Sequence, residues 1–594
     1  MNTLLYTRPC IIRKTLVPIF IRLPFSVDFT FNSLAQLRHG RRILAQKLHD
    51  PQAETLVQPS AALETKVTTV VVVAPKGNHV SPQRGSKLDA LRARLLVVFP
   101  FQVVLTMIVL AVPFLLARQG MNDPDIWWHL RNAEYLIQHQ RMPDHDMYSF
   151  TVPANPWINH EWLSEIPYYF AWKAFGLVGV KSLSLVLLGC IFLGILYLSY
   201  RESLNFKASV TACCFSVFLC SVSFGPRTIL FGYIYLIGLL IILQHFRQVG
   251  KAPLWLIPPL FCLWANTHGS WLLGLIIFSI IAAAGLVSGR WGIVEAKRWS
   301  AVQFRKLASA WVATIVALFI NPFGWRLVAY PFDLAFRQKL NIAHVAEWVS
   351  VDFHTMRGKM VMGLLIVLLV NALVRRSRWR LAELLVFLFA LYSGLTYTRF
   401  LVLLAIAAAP ILAKALDFFS GYRPEMETPI FNAVVVMAIV AGMVHYWPKE
   451  IDLQRSVAEN YPSKVMPFLQ THPPAGPMLN FYLWGGYLGW NNKDVKVFVD
   501  SRVDIFEYAG VLQDYLDLLA LKHLEAVLQK YKIQYVLFPP NEPLTRVLQM
   551  DPQWKTIYQD DLAVLLERAS ESERLERIDM ERRAALSGRL ERAD

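Results

Sequence analysis

Two carboxylates and an imidazole stand just beyond the end of a long apolar run, in the segment Asp123-Pro124-Asp125-Ile126-Trp127-Trp128-His129. Ionisable groups at the mouth of a membrane span point to chemistry at a membrane surface, where a carboxylate can take a proton from a nucleophile. Asp123 precedes a helical pattern at a place where Asp is favoured as a cap and the following Pro124 suits the first turn. One cap per helix is enough, so Asp125 is the stronger candidate for chemistry and Asp123 its helper. A second polar group follows in Pro156-Trp157-Ile158-Asn159-His160-Glu161-Trp162, with Glu165 just beyond. His160-Glu161 begins like the zinc-protease pattern His-Glu-x-x-His, but Ser164 stands where the second His is needed, so that reading fails. Glu161 and Glu165 are spaced to share one face of a helix expected to start near Pro156; there they bind a cation, receive an amine or repel one another in solvent.

The elements that must position these groups are membrane spans. A chain of 594 residues with 55% apolar and 17% charged residues fits a multispanning membrane protein better than any soluble class. Apolar runs mark about eleven spans, near 95–117, 179–200, 208–223, 228–246, 253–266, 270–288, 307–321, 359–374, 381–397, 400–416 and 429–447. The formal net charge of +16 would suggest nucleic acid in a soluble chain. Here the cations sort into alternate loops: Arg201 and Lys207; Arg247 and Lys251; Arg290 to Lys306; Arg375 to Arg380; Lys414 and Arg423. By the positive-inside rule these loops are cytoplasmic, which leaves the N-terminus inside and the C-terminus outside and gives nucleic acid no part as partner.

The same parity puts the polar residues at span ends nearly all on the outer side. They include Asp123, Asp125, His129, Arg131, His160, Glu161, Glu165, Arg227, Asn266, His268, Asn321, Glu347 and Arg399. Such a cluster is expected to line one wet cavity; the alternative is a set of side chains snorkelling separately into the headgroups. From Ile126 to His139 the pattern suits an amphipathic helix in the interface, with Trp127 and Trp128 at headgroup level. His268 lies in the tight turn Asn266-Thr267-His268-Gly269, as a donor to substrate or as a packing histidine.

Residues 1–94 read as a disordered cytoplasmic arm, rich in Pro, Gln, Ser and Thr over 50–90. All cysteines except Cys10 fall inside proposed spans, so none is offered for a disulfide in the outer loops. Residues 448–570 read as an extracytoplasmic α/β domain, with short strands at Val495–Val499 and Tyr535–Phe538 and helical spacing over 510–530. Asp500, Arg502 and Asp504 touch substrate there or satisfy one another as an ion pair. The stretch 571–594 alternates Glu and Arg and reads as a charged helical tail.

The carboxylate motif after span one, the long first outer loop 118–178, about eleven spans and the C-terminal outer domain resemble the GT-C class of integral-membrane glycosyltransferases. That class includes the protein O-mannosyltransferases, the aminoarabinose transferase of lipid A and the oligosaccharyltransferases. Asp123-Pro-Asp-Ile-Trp-Trp-His-Leu130, Pro143-Asp-His-Asp-Met-Tyr-Ser-Phe-Thr151 and Pro156-Trp-Ile-Asn-His-Glu-Trp-Leu163 are more narrowly similar to a group of bacterial membrane proteins placed in that class. Trp264-Ala-Asn-Thr-His-Gly269, Asn321-Pro-Phe-Gly324 and Trp484-Gly-Gly-Tyr487 extend the likeness over most of 95–570. Oligosaccharyltransferases carry an Asp in their Trp-containing motif that this chain lacks.

The resemblance implies an all-α polytopic fold with about eleven transmembrane helices and a small outer α/β domain, in a bacterial inner membrane. It implies transfer of a sugar from a polyprenyl-phosphate donor, drawn laterally from the membrane lipid, to a cell-envelope glycan, lipid or protein acceptor on the periplasmic side. Under it Asp125 is the base and Asp123 assists or shares a metal, for which Mg²⁺ or Mn²⁺ would suit two carboxylates. Arg399 and Arg227, isolated from local acidic residues, are the candidates to hold phosphate. His268, His129, His160, Glu161 and Glu165 complete the candidate substrate-binding set. The competing readings are an O-antigen-type ligase or polymerase, whose working residues belong on a late outer loop, a transporter or lipid flippase, and a scaffold without catalysis.

Overall fold

The computed structural model describes residues 87–580 apart from 154, 376, 424–426 and 576–578. The chain divides into two units, Met1–Val98 and Phe99–Asp594. In the first, the described residues form one helix, Lys87–Val98; the rest of the expected arm, 1–86, lies outside the described residues, as does most of the charged tail 571–594.

The second unit is mostly helical because its apolar runs are long and rich in Leu, Ile, Val and Ala, and helix is the form that satisfies every backbone group within one segment. Six helices are long and apolar enough to cross a membrane: Trp162–Ser203, Phe206–Ser223, Ile229–Val249, Ala301–Leu318, Met356–Arg375 and Thr398–Ala415. Pro429–His445 and Glu450–Asn460, bent by 56°, make a seventh if taken as one span. Four shorter apolar helices, Phe101–Ala117, Leu254–Ala265, Trp271–Ala284 and Leu381–Thr396, occupy the other apolar runs. Local signals set several starts: Ser300 and Gln303 form a capping box for Ala301–Leu318, and Thr355 caps Met356–Val370.

Leu401–Ala415 is the centre of the bundle. It is apolar all round, and its residues from Leu401 to Ile406, with Ala408, Ala409, Leu412 and Ala413, are buried. It packs on Phe206–Cys220, Trp162–Ser203 and Leu381–Thr396. The long helix Trp162–Ser203 is two helices in effect. Phe175 and Gly176 leave helical geometry, and Gly176 has φ +59°, which a residue without Cβ adopts cheaply. The break turns the segment from Trp162 away from the span, so that its first turn reaches the outer site.

At the end of the bundle carrying the basic loops, β1 (Gly289–Trp291), β2 (Val294–Ala296) and β3 (Trp379–Arg380) form a small sheet that the sequence did not announce. The C-terminal region builds a second sheet from β4 (Met478–Asn480), β5 (Tyr535–Phe538), β6 (Trp554–Gln559) and β7 (Val564–Arg568), in the order β4-β5-β7-β6. β4 and β5 run parallel and the other pairs antiparallel. The strand expected at Tyr535–Phe538 is present, and helices Val511–Leu519 and Leu524–Lys530 cover the stretch of helical spacing.

Val495–Val499, expected as a strand, joins neither sheet. Its backbone partner is loop 143–157: Val497 N–H donates to the Tyr148 carbonyl, and the Val497 carbonyl accepts from Phe150 N–H. Loop 143–157 therefore shares a core with the C-terminal region, where Trp128, Tyr148, Val152 and Trp157 pack with Phe498, Val499 and Phe506. Trp484-Gly-Gly-Tyr487 is the other seam. A Cβ on Gly485 would stand 2.2 Å from the Val499 carbonyl oxygen, and one on Gly486 3.0 Å from that of Pro124.

Gly485→Ala is therefore expected to destabilise the protein by about 1–3 kcal/mol through overpacking. Gly363→Ala, at a helical position where a Cβ meets nothing within 4 Å, is expected to be neutral or slightly stabilising. Thermal melting of the two purified variants in the same detergent checks the contrast.

Candidate active site

Helix Asp125–His139 builds one wall of the site. Residues 125, 128, 129 and 132 recur at helical spacing, so Asp125, Trp128, His129 and Asn132 share a face. Just before it, Asp123 closes a short turn: its Oδ1 accepts the Asp125 N–H at 3.1 Å. Its Oδ2 lies 2.7 Å from Arg227 Nε, and Arg227 also pairs with Glu347. Arg227 thus has the acidic neighbours that its local sequence lacks; they come from segments distant in the chain. Burial pushes the Asp123 carboxyl up to about 6 in spite of the guanidinium beside it. Asp125 is held more lightly, accepting from Trp128 Nε1 at 3.2 Å, a donor shared with Ser501 Oγ at 3.1 Å.

Trp127 and Trp128, expected in an interfacial helix at headgroup level, are covered by protein. Both are buried: Trp127 packs edge-on against Tyr461 and Tyr487 at 5.4 and 5.0 Å, and Trp128 against Trp157 at 6.0 Å. The C-terminal region covers the helix face that the sequence pattern alone assigns to the membrane.

The second wall corrects the expected helix from Pro156. The helix starts at Trp162, and Glu161 is the residue before it. His160 and Glu161 are thus off the helix, and Glu161 and Glu165 grip His129 from two sides instead of sharing an exposed face. His129 Nδ1 lies 3.0 Å from Glu165 Oε1 and its Nε2 3.3 Å from Glu161 Oε2. Glu165 is wholly buried and accepts further bonds from Asn132 and Asn159 at 3.2 and 2.9 Å. It braces His129 from behind and does not line the cavity.

Glu161 is the meeting point. Its Oε1 lies 3.2 Å from His268 Nε2 and 3.6 Å from His160 Nε2. Ser270 N–H donates to His268 Nδ1 at 3.0 Å, which leaves the proton of a neutral ring on Nε2, aimed at Glu161. Burial raises the Glu161 carboxyl to about 7, against the pull of His129. Burial also works against a charge on His129, but the Glu165 and Glu161 carboxylates outweigh it and raise its pKa. His160, stacked on Tyr330 at 4.2 Å, is pushed down to about 3 by burial, and His268 is lowered well below the usual range for the same reason.

Arg399 closes the site from the short turn before Leu401–Ala415. Its guanidinium lies over the Trp348 ring at 4.3 Å and makes no ion pair among the described residues. Thr398 bonds the Val349 and Glu347 carbonyls, so the two segments that carry Arg399 and Glu347 are stapled together.

Asp123, Asp125, His129, Glu161, Arg227, His268 and Arg399 all line one polar recess, with Glu347. It opens into a cavity of about 760 Å³ that Asp125, His160, Glu161, Arg227, His268 and Arg399 also line, a size ordinary for a small-molecule site. Glu165 and Arg131, expected in the same cluster, do not line it, whereas Trp348, Tyr330, Tyr482 and Ser501, which no motif singled out, do. Glu347 was noted only as an outer polar residue. For the metal reading the fit is poor. Asp123 already spends one oxygen on a guanidinium, Nε2 of His268 carries a proton, and no group of three His, Cys, Asp or Glu among the described residues is arranged for an ion.

No protein-family model and no curated protein matches the chain. Among solved structures it is similar to the oligosaccharyltransferase of Archaeoglobus fulgidus in the apo form, at 12% identity and a TM-score of 0.42 over 73% of this chain and 69% of that one. It is similar to ArnT from Cupriavidus metallidurans in the apo state, at 14% identity and 0.44 over 81% and 98%. The same ArnT bound to undecaprenyl phosphate gives 14% identity and 0.43 over 79% and 98%.

Glu161 sets a pH signature. Its ordinary value is 4.5 and its folded value about 7, so between these the folded state holds the extra proton and stability falls as pH rises. His160 and His268, both depressed, act in the opposite sense and are common to both proteins in a comparison with Glu161→Gln. The wild-type melting temperature minus that of the variant is therefore expected to decrease steadily from about pH 4.5 to 7 and then level off. A difference that is flat, or rises, over that window removes the assignment.

Proposed function

We propose that the protein is a membrane glycosyltransferase that moves a sugar from a polyprenyl-phosphate donor to a cell-envelope acceptor at the outer membrane face. The observation that carries this reading is the pairing, in one cavity, of a lightly held carboxylate, Asp125, with a guanidinium that makes no ion pair among the described residues, Arg399. A base and a phosphate holder are the two groups that such a transfer asks for.

In this reading all eleven apolar helices span the bilayer, with the basic loops and the N-terminus cytoplasmic and the C-terminal region periplasmic. An acceptor hydroxyl or amine gives its proton to Asp125 and forms a bond to the anomeric carbon. The bond from that carbon to the phosphate oxygen breaks, and polyprenyl phosphate leaves with the electron pair. Arg399, which makes no ion pair among the described residues and feels Glu347 only at longer range, takes the departing phosphate in a two-pronged way. Arg227 lends positive potential but is largely committed to Asp123 and Glu347. Glu161, His160 and His268 present acceptors and donors suited to sugar hydroxyls, and His129 and Glu165 hold Glu161 in place.

Asp125→Asn is expected to lower turnover by ~10²–10⁴-fold with little change in donor KM. Arg399→Gln is expected to raise donor KM by ~10–100-fold, the range of a charge-assisted hydrogen bond, without loss of folding. Both are read in a transfer assay with the reconstituted protein and a panel of polyprenyl-phosphate sugars. Wild-type turnover by Asp125→Asn would eliminate that residue as the base, and an unchanged donor KM in Arg399→Gln would eliminate the phosphate site.

A further inference from the structure

A second recess lies at the opposite end of the bundle. Helix Ile229–Val249 reports the separation: Arg227, just before it, lines the outer cavity, and Arg247, near its end, lines this recess. At 1.5 Å per residue those positions are ~30 Å apart, the thickness of the hydrocarbon core. The recess encloses about 100 Å³, room for more than a single water at ~30 Å³.

Its charged side is a closed quartet. Arg247 Nη2 lies 2.9 Å from both Glu202 Oε1 and Glu383 Oε1, and Arg380 Nη1 lies 2.8 Å from Glu202 Oε2 and Glu383 Oε1. Two guanidiniums and two carboxylates cancel. What is left over is positive. Lys414, on the lining, makes no ion pair among the described residues, and its Nζ donates only to the Arg378 carbonyl at 3.3 Å. The Arg378 guanidinium reaches Glu295 at 4.0 Å in an exposed pair, which neutralises it weakly. The rest of the wall is mostly apolar, including Leu240, Ile281, Leu368, Val386, Ile406 and Ile411 from five helices of the bundle, with Gln244, Asn371 and Ser377 as its polar members. A soluble anion gains nothing from that wall, whereas a lipid matches both halves.

We propose that this recess binds one anionic phospholipid, with its phosphate on Lys414 and Arg378 and an acyl chain against Ile406 and Ile411. Lys414, without an ion pair among the described residues, and the weakly neutralised Arg378 supply the charge complementarity at the basic end of the bundle, and the mostly apolar wall running inward supplies the chain site. Neither residue belongs to the outer cavity, so the proposal stands or falls apart from the transferase reading.

The test uses the full-length protein in nanodiscs of phosphatidylcholine with a minor fraction of phosphatidylglycerol, released into the gas phase for native mass spectrometry. The wild type is expected to retain one phosphatidylglycerol in preference to phosphatidylcholine. Lys414→Met with Arg378→Gln is expected to lose that retention about tenfold or more, while Arg455→Gln, at an exposed position elsewhere, retains it. Equal retention in wild type and double variant overturns the proposal. So does equal retention of the two lipids by the wild type, a comparison that needs no variant to fold. Inorganic phosphate that raises the melting temperature in phosphatidylcholine as much as phosphatidylglycerol does would mean a free-anion site and would also overturn it.

Discussion

His129 stands between two buried carboxylates, Glu165 and Glu161, and the outer half of the molecule is assembled around that contact. A carboxylate removed from water without partners is penalised by several kcal/mol, so its donors must all arrive together. Three segments distant in sequence therefore meet within hydrogen-bond reach: the helix from Asp125, the turn before Trp162 and the turn at His268. Glu165 is closed off by Asn132 and Asn159. Asn132 in turn accepts from Tyr148 OH at 2.6 Å, which carries the network into the loop that joins the C-terminal region. There Asp146 and Asp500 both pair with Arg502, buried and flanked by the rings of Tyr148 and Trp157. A chain of polar contacts thus runs from the membrane bundle to the C-terminal region, with only Arg502 Nη1 of that residue's guanidinium left without a partner.

That network also sorts residues of the same type into different roles. Asp123 and Asp125 are two positions apart, yet one is tied by a guanidinium and the other is held only by an indole N–H. Arg227 and Arg399 looked equally isolated along the chain, yet Arg227 has two carboxylates and Arg399 a tryptophan face. The group with fewer internal partners keeps more of its interaction free for a ligand. Of Glu161 and Glu165, only Glu161 faces the cavity; Glu165 is spent on holding His129.

Much of this was legible along the chain where the signal is local. The apolar runs foretold the positions of the helices, and the face shared by Asp125, Trp128, His129 and Asn132 follows from the helical period. Tyr535–Phe538 read as a buried strand because its pattern is compact and apolar. Where the reading failed, a distant partner decided the outcome. Trp127 is covered by Tyr461 and Tyr487 and Trp128 by Trp157; Val495–Val499 pairs with loop 143–157 and so joins no sheet; and the helix expected from Pro156 gives way to an irregular turn whose Asn159 and Glu161 bond to Glu165 and His268.

The sequence by itself determined that the protein is a helical membrane bundle with basic loops toward one end and the candidate-site residues toward the other, because periodicity, run length and loop charge are properties of neighbouring residues. Only the tertiary structure decided which carboxylate is free, which arginine is unpaired, and that three imidazoles converge on Glu161. Those outcomes depend on distances of a few ångströms between groups up to hundreds of residues apart, and Coulomb and hydrogen-bond energies change steeply over such distances.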